Sequence, residues 1–140
     1  MKMNDYTFKD IYVGMEESFS VTITEKMMED FSAVTGDINP LHRDESFARE
    51  KGFDSKVVYG MLTASFLSTM AGVYLPGKNS LIYGMEIDFS KPVYVGDELL
   101  FSGKVTDVFE GLGCFNIKII VRNQNNVKVC RGKMRLGVRE

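Results

Sequence analysis

From Val57 to Gly77 the chain carries no charged side chain, and within this run Gly60 to Leu75 is apolar or small on every side. A helix with no polar face has to be surrounded by other structure. The run is about long enough to span a bilayer, but Thr63, Ser65, Ser68, Thr69, the internal Gly60 and Gly72 and the closing Pro76 make it a poor membrane segment. It reads instead as a buried helix, opened by Gly60 and ended at Leu75-Pro76-Gly77, whose small residues Ala64, Ser65, Ser68, Ala71 and Gly72 allow a covering surface to approach closely. With 140 residues, 44% of them hydrophobic, the chain can build one core of ordinary size around that helix and not two.

The covering surface is predicted from the remainder. Phe19, Val21 and Ile23 alternate with polar residues as in a half-buried strand over Phe19 to Thr24. Thr24 then caps a short amphipathic helix marked by Met27, Met28, Phe31 and Val34 and stopped by Gly36. Asp37 to Tyr59 is a mostly irregular excursion with one helical turn near Glu45 to Glu50. Long excursions of this kind inside compact domains are often functional. After Gly77 the pattern is all strand: Leu81 to Phe89, Leu99 to Val108, Phe115 to Arg122 and Val127 to Val138, joined by turns at Val95-Gly96-Asp97, Gly111-Leu112-Gly113 and Gln124-Asn125-Asn126. The sum is α+β: an antiparallel sheet of about five strands wrapped around a central helix. Met27, Met28, Met61, Met70 and Met85 fall at core periodicities, where methionine commonly fills gaps. An open sheet of this size has an unpaired edge, which favours association with a second copy.

Charge removes other classes of function. A net charge of -2, from 17 basic and 19 acidic residues, offers no footprint for nucleic acid. The N-terminal residues Met1 to Tyr6 alternate in polarity and resemble no secretory leader, so a cytoplasmic location is expected. Cys114 and Cys130 fall out of register across the last hairpin and are expected as free thiols. No cluster of cysteine and histidine suggests a metal, and no motif suggests a cofactor.

The chemistry centres on His42, the one histidine, five residues after Asp37 in Gly36-Asp37-Ile38-Asn39-Pro40-Leu41-His42. An imidazole beside a carboxylate can hold and deprotonate a water near neutral pH. The same residues also serve as plain turn formers in a solvated loop, and spacing alone leaves both readings open.

The run from Phe31 to His42, followed by Ala48, resembles the signature segment of the MaoC-like (R)-specific enoyl-CoA hydratases, which have the hotdog fold. Tyr59-Gly60-Met61-Leu62, Leu75-Pro76-Gly77 and Pro92-Val93-Tyr94-Val95-Gly96-Asp97 resemble that family's segments in the same order. The resemblance implies that residues 1–140 form a single MaoC-like hotdog domain, without a cofactor, acting on a trans-2-enoyl thioester of coenzyme A or acyl carrier protein. It makes Asp37 and His42 the catalytic pair and places the backbone N–H of Gly60 at the oxyanion position. Asn39 is expected to buttress the loop and Ser68 to lie near the site, while Tyr59, where many members have histidine, alters the pocket wall. Lys78, Lys91, Arg122 and Arg131 are the candidate partners for coenzyme A phosphates. A homodimer is expected, with the Asp37/His42 loop of one copy facing Gly60 of the other. Thioester hydrolysis and non-catalytic acyl-CoA binding are the alternatives; a proton-transfer pair argues against the second and the Asp-x-Asn-Pro-x-His arrangement against the first.

Overall fold

A computed structural model describes residues 2–140. In chain order the elements are β1 (Glu16–Thr22), α1 (Glu25–Thr35), α2 (Pro40–Arg43), α3 (Glu45–Glu50), α4 (Gly60–Thr69), β2 (Ser80–Phe89), β3 (Glu98–Phe109), β4 (Cys114–Arg122) and β5 (Lys128–Val138). The five strands make one antiparallel sheet in the order β1-β3-β4-β5-β2, so β1 and β2 are its edges.

The α+β architecture follows from two periods meeting. Leu99, Phe101 and Val105 of β3, Phe115, Ile117, Ile119 and Val121 of β4, and Met134 and Leu136 of β5 point to one face and are buried. They join Leu67 and Met70 in a single core. Each large side chain fully buried in this way contributes about 1.5–3 kcal/mol. The sheet approaches the helix through glycines. A Cβ on Gly103 of β3 would lie 2.9 Å from Sδ of Met70, and one on Gly132 of β5 would lie 3.1 Å from Cδ2 of Leu67.

The helical run ends before Leu75, as the sequence places it, but its last part changes type. Its α-helical part stops at Thr69, and Met70 to Tyr74 continue as a wider π-type turn. The N-terminal segment is the cause: Asn4 N donates to the Val73 carbonyl at 2.8 Å and Asn4 Nδ2 to the Tyr74 carbonyl at 2.8 Å, while Leu75 N reaches back five residues to Met70 at 2.7 Å. Strand β1 starts earlier than its apolar pattern suggests, because Glu16 and Glu17 pair with Lys104 and Gly103 of β3. The short α2 was not legible in sequence; Asn39 Oδ1 caps it by accepting from Leu41 N at 2.9 Å.

Cys114 faces Gly137 and Cys130 faces Val121 across the β4–β5 ladder, so both thiols are free and buried. The expectation that Met61 and Met85 belong to the core is corrected. They are 64% and 47% exposed, because the sheet leaves one face of α4 and the adjoining edge strand β2 uncovered. No helix is long and apolar enough to cross a membrane among the described residues.

Gly103→Ala is expected to cost about 1–3 kcal/mol, because Met70 is fully buried and has little room to retreat. Gly111→Ala, with open space around its Cβ, should stay within about 0.5 kcal/mol of the parent. Urea unfolding of the two variants checks the contrast.

Candidate active site

The loop that carries Asp37 is fixed at both ends. Thr24 Oγ1 caps α1 by accepting from Met27 N at 3.2 Å, and Gly36 ends it with a left-handed φ of 76°. The chain then reverses into Asp37. The Asp37 carbonyl accepts from Ser32 Oγ at 3.0 Å and from the Tyr59 hydroxyl at 2.7 Å. Its carboxylate turns the next residues, Oδ1 accepting from Asn39 N at 3.0 Å. Among the described residues Oδ2 has no partner, and the side chain is exposed. Thus the backbone of Asp37 is held while one carboxylate oxygen stays available.

His42 lies on α2 and is half-buried. Its Nδ1 sits 2.7 Å from the Val57 carbonyl. A carbonyl oxygen only accepts, so Nδ1 carries a proton, and in the neutral imidazole Nε2 is the nitrogen with the lone pair. The imidazole packs on the Tyr59 ring at 4.3 Å between centroids, and Tyr59 in turn packs on Phe31 at 4.7 Å. Tyr59 is therefore more than the altered pocket wall expected of it: it is 2% exposed, and it holds the Asp37 carbonyl with its hydroxyl and His42 with its ring.

Both groups border a cleft of about 760 Å³ that is also lined by Tyr59, Gly60, Ser68 and Met85. A smaller pocket of about 340 Å³ shares His42, Gly60 and Phe89 with it. Gly60 is the first residue of α4, and a Cβ there would lie 3.2 Å from the Phe89 ring. The Leu62 and Thr63 N–H groups both donate to the Tyr59 carbonyl, at 3.0 and 3.2 Å. Those of Gly60 and Met61 have no partner among the described residues. Such free donors at a helix start, with the positive end of its dipole, suit a developing anion.

Asp37, His42, Tyr59, Gly60 and Ser68 thus meet around one cleft, while Asn39 stays outside it and caps α2. Asp37, His42 and Gly60 of one chain line the same cleft, with Val57 and Tyr59, immediately before Gly60, binding His42 and Asp37 directly. Of the four candidate cations, Lys91 lines the smaller pocket. Arg131 pairs with Asp88 at 3.5 Å, and Arg122 donates to the Asn126 carbonyl. Burial, with a smaller push from Asp88, raises the Cys130 thiol to about 11, so at neutral pH it lines the smaller pocket as an inert neutral group. Sequence reading missed the Val57 carbonyl, Phe89 and Thr63; their part depends on tertiary contacts that leave no local motif.

Residues 11–128 match the family described as MaoC like domain. The chain is 37% identical over 102 residues to an (R)-specific enoyl-CoA hydratase of Aeromonas caviae, covering 73% of this chain and 76% of that protein. It is 33% identical over 99 residues to the enzyme of the same description from Rhodospirillum rubrum, covering 71% and 69%. Its fold superposes on the (R)-hydratase from A. caviae involved in PHA biosynthesis with a TM-score of 0.89 at 30% identity, covering 94% of this chain and 99% of that one. These matches, most of the chain in length and joined to the hotdog arrangement of sheet and helix, define a class of acyl-thioester enzymes. The chain belongs to the MaoC-like domain family.

Tyr59→Phe removes the hydroxyl that holds the Asp37 carbonyl and should lower stability by about 1 kcal/mol. Thermal unfolding checks the loss, and faster hydrogen exchange at the Asn39 and Leu41 amides would locate it in the loop.

Proposed function

We infer that this chain is an (R)-specific enoyl-CoA hydratase, a hydro-lyase that adds water reversibly to a trans-2-enoyl thioester to give an (R)-3-hydroxyacyl thioester. The observation that carries the site assignment is the tautomer of His42: Nδ1–H is committed to the Val57 carbonyl, so in the neutral ring Nε2 is the nitrogen free to take a proton, in the cleft that Asp37 and Gly60 also line. In this mechanism a water sits between the free oxygen of Asp37 and Nε2 of His42. His42 takes a proton as the water oxygen bonds to C3, and the double-bond electrons move toward the thioester oxygen. Gly60 N–H receives that developing charge, and C2 then takes a proton from the Asp37–His42 pair. One water is consumed, its hydroxyl ending on C3 and a proton on C2. Ser68 and Met61 border the path for the acyl chain, and Asn39 keeps α2, with His42 on it, in register.

The working unit in this reading is a homodimer in which the whole chain, residues 1–140, acts as one domain. Support comes from the uncovered surface: Leu81, Ile82, Tyr83, Met85 and Phe89 of edge strand β2 are exposed together with Met61 on the open face of α4. A second copy laid against β2 would cover these groups and close the cleft to bulk water. Two buried free thiols suit a reducing compartment, so the reaction is assigned to the cytoplasm.

Purified protein is expected to bleach the conjugated double bond of trans-2-enoyl-CoA and release the (R) product. Asp37→Asn and His42→Gln should each lower turnover by about a hundredfold or more while leaving the fold intact, as circular dichroism checks. An (S) product, or near-parental hydration by either folded variant, would overturn the assignment.

The chain should sediment as a dimer, and Tyr83→Glu should shift it to a monomer of low activity. Mixing inactive Asp37→Asn with inactive Gly60→Trp subunits should restore no activity, since each site draws both groups from one chain. A fully active monomer at assay concentration would dispose of the dimer requirement.

A further inference from the structure

Among the described residues, Thr63 Oγ1 is the buried side-chain polar atom that lacks a hydrogen-bond partner. The residue is 2% exposed and lines the smaller pocket together with His42 and Gly60. A threonine within a helix ordinarily bonds back to the carbonyl four residues earlier. Here that carbonyl belongs to Tyr59 and already accepts from both Leu62 N and Thr63 N. The hydroxyl is left over in a pocket walled by Val58, Phe89, Val93 and Val129, and none of the polar side chains that also line it, His42, Ser90, Lys91 and Cys130, is bonded to it.

Its position follows from helix geometry. Side chains on an α-helix lean toward the N-terminus, and residues three apart share a face. Thr63 therefore covers the turn that begins at Gly60, whose N–H is itself free among the described residues. The Gly60 N–H and the Thr63 hydroxyl, both unused, border the same smaller pocket at the head of α4, whose lining does not include Met61 with its free N–H. A single backbone N–H is a sparse receptor for an enolate oxygen, and sites of this kind gain from a second preorganised donor.

We propose that the Thr63 hydroxyl is the second hydrogen-bond donor to the thioester oxygen that Gly60 N–H receives, an assignment that rests on the hydratase reading above. The bond strengthens as negative charge builds on that oxygen, so its removal acts on turnover more than on substrate binding. An unpartnered buried hydroxyl costs stability in the free protein, so taking it away by an isosteric change leaves the fold as stable or more so.

The test compares full-length Thr63→Val, which keeps the shape and removes the donor, with Thr63→Ser, which keeps the donor. With trans-2-enoyl-CoA, Thr63→Val should lose about tenfold or more in kcat, with a much smaller change in KM, and should unfold at the parental temperature or above. Thr63→Ser should retain most of the parental kcat. A readout independent of turnover is the infrared stretch of the thioester carbonyl in bound 3-hydroxyacyl-CoA: its shift to lower frequency should shrink in Thr63→Val and persist in Thr63→Ser. Parental kcat in Thr63→Val, an equal loss in Thr63→Ser, or an unchanged carbonyl stretch would overturn the assignment alone. A lower unfolding temperature with unchanged kinetics would give the hydroxyl a purely structural role and also overturn it. A parent protein that hydrates no enoyl-CoA would remove the hydratase reading and this assignment with it.

Discussion

The structure depends on the contact between α4 and the concave face of the sheet. Leu67 and Met70 enter a layer formed by Phe101, Phe115, Ile117 and Leu136, and Gly103 and Gly132 leave the space that lets helix and strands meet. This packing stabilises the fold by burial of apolar surface, the largest favourable contribution available to a chain of this size. It also aims the helix. With the C-terminal end of α4 held down, its N-terminal turn lies where the excursion from Asp37 to Tyr59 returns to the core, and Gly60, whose N–H is free among the described residues, lines the cleft.

The excursion is held by a few polar contacts around the cleft. The Val57 carbonyl selects the tautomer of His42, the Tyr59 hydroxyl and Ser32 hold the Asp37 carbonyl, and Asn39 starts the short helix on which His42 sits. Arg43 extends the network by donating to Ser32 Oγ at 2.8 Å. Proton-transfer groups need orientation as much as proximity. Here the orientation comes from the segment immediately before α4, which ties the loop to the helix head.

Much of the fold was legible because it rests on local periodicity. The α1 cap at Thr24, its stop at Gly36, the helical turn at Glu45–Glu50 and the strands after Gly77 all fall where alternation, helical spacing and turn residues place them. Where expectation and structure part, a distant partner is the reason. Asn4 diverts the carbonyls at the end of α4, β3 recruits Glu16 and Glu17 into β1, and an uncovered helix face exposes Met61. The site shows the same division: Asp37, His42 and Gly60 stand out by residue type and order, whereas the Val57 carbonyl and Thr63 carry no signature at all.

By itself the sequence determined the α+β class, the uncharged central helix, the antiparallel strands and the pairing of one carboxylate with one histidine, since these follow from hydrophobic period and residue chemistry along short stretches. Tertiary structure alone decided that Asp37 and His42 line one cleft with Gly60. It also decided that Nε2 and not Nδ1 of His42 is the free nitrogen, and that Thr63 is buried with its hydroxyl unpaired. The physical reason is that hydrogen-bond satisfaction is a property of where the chain returns to itself. A carbonyl fifteen residues from an imidazole, or one already occupied by two amides, becomes a partner or ceases to be one only when packing has fixed the distances.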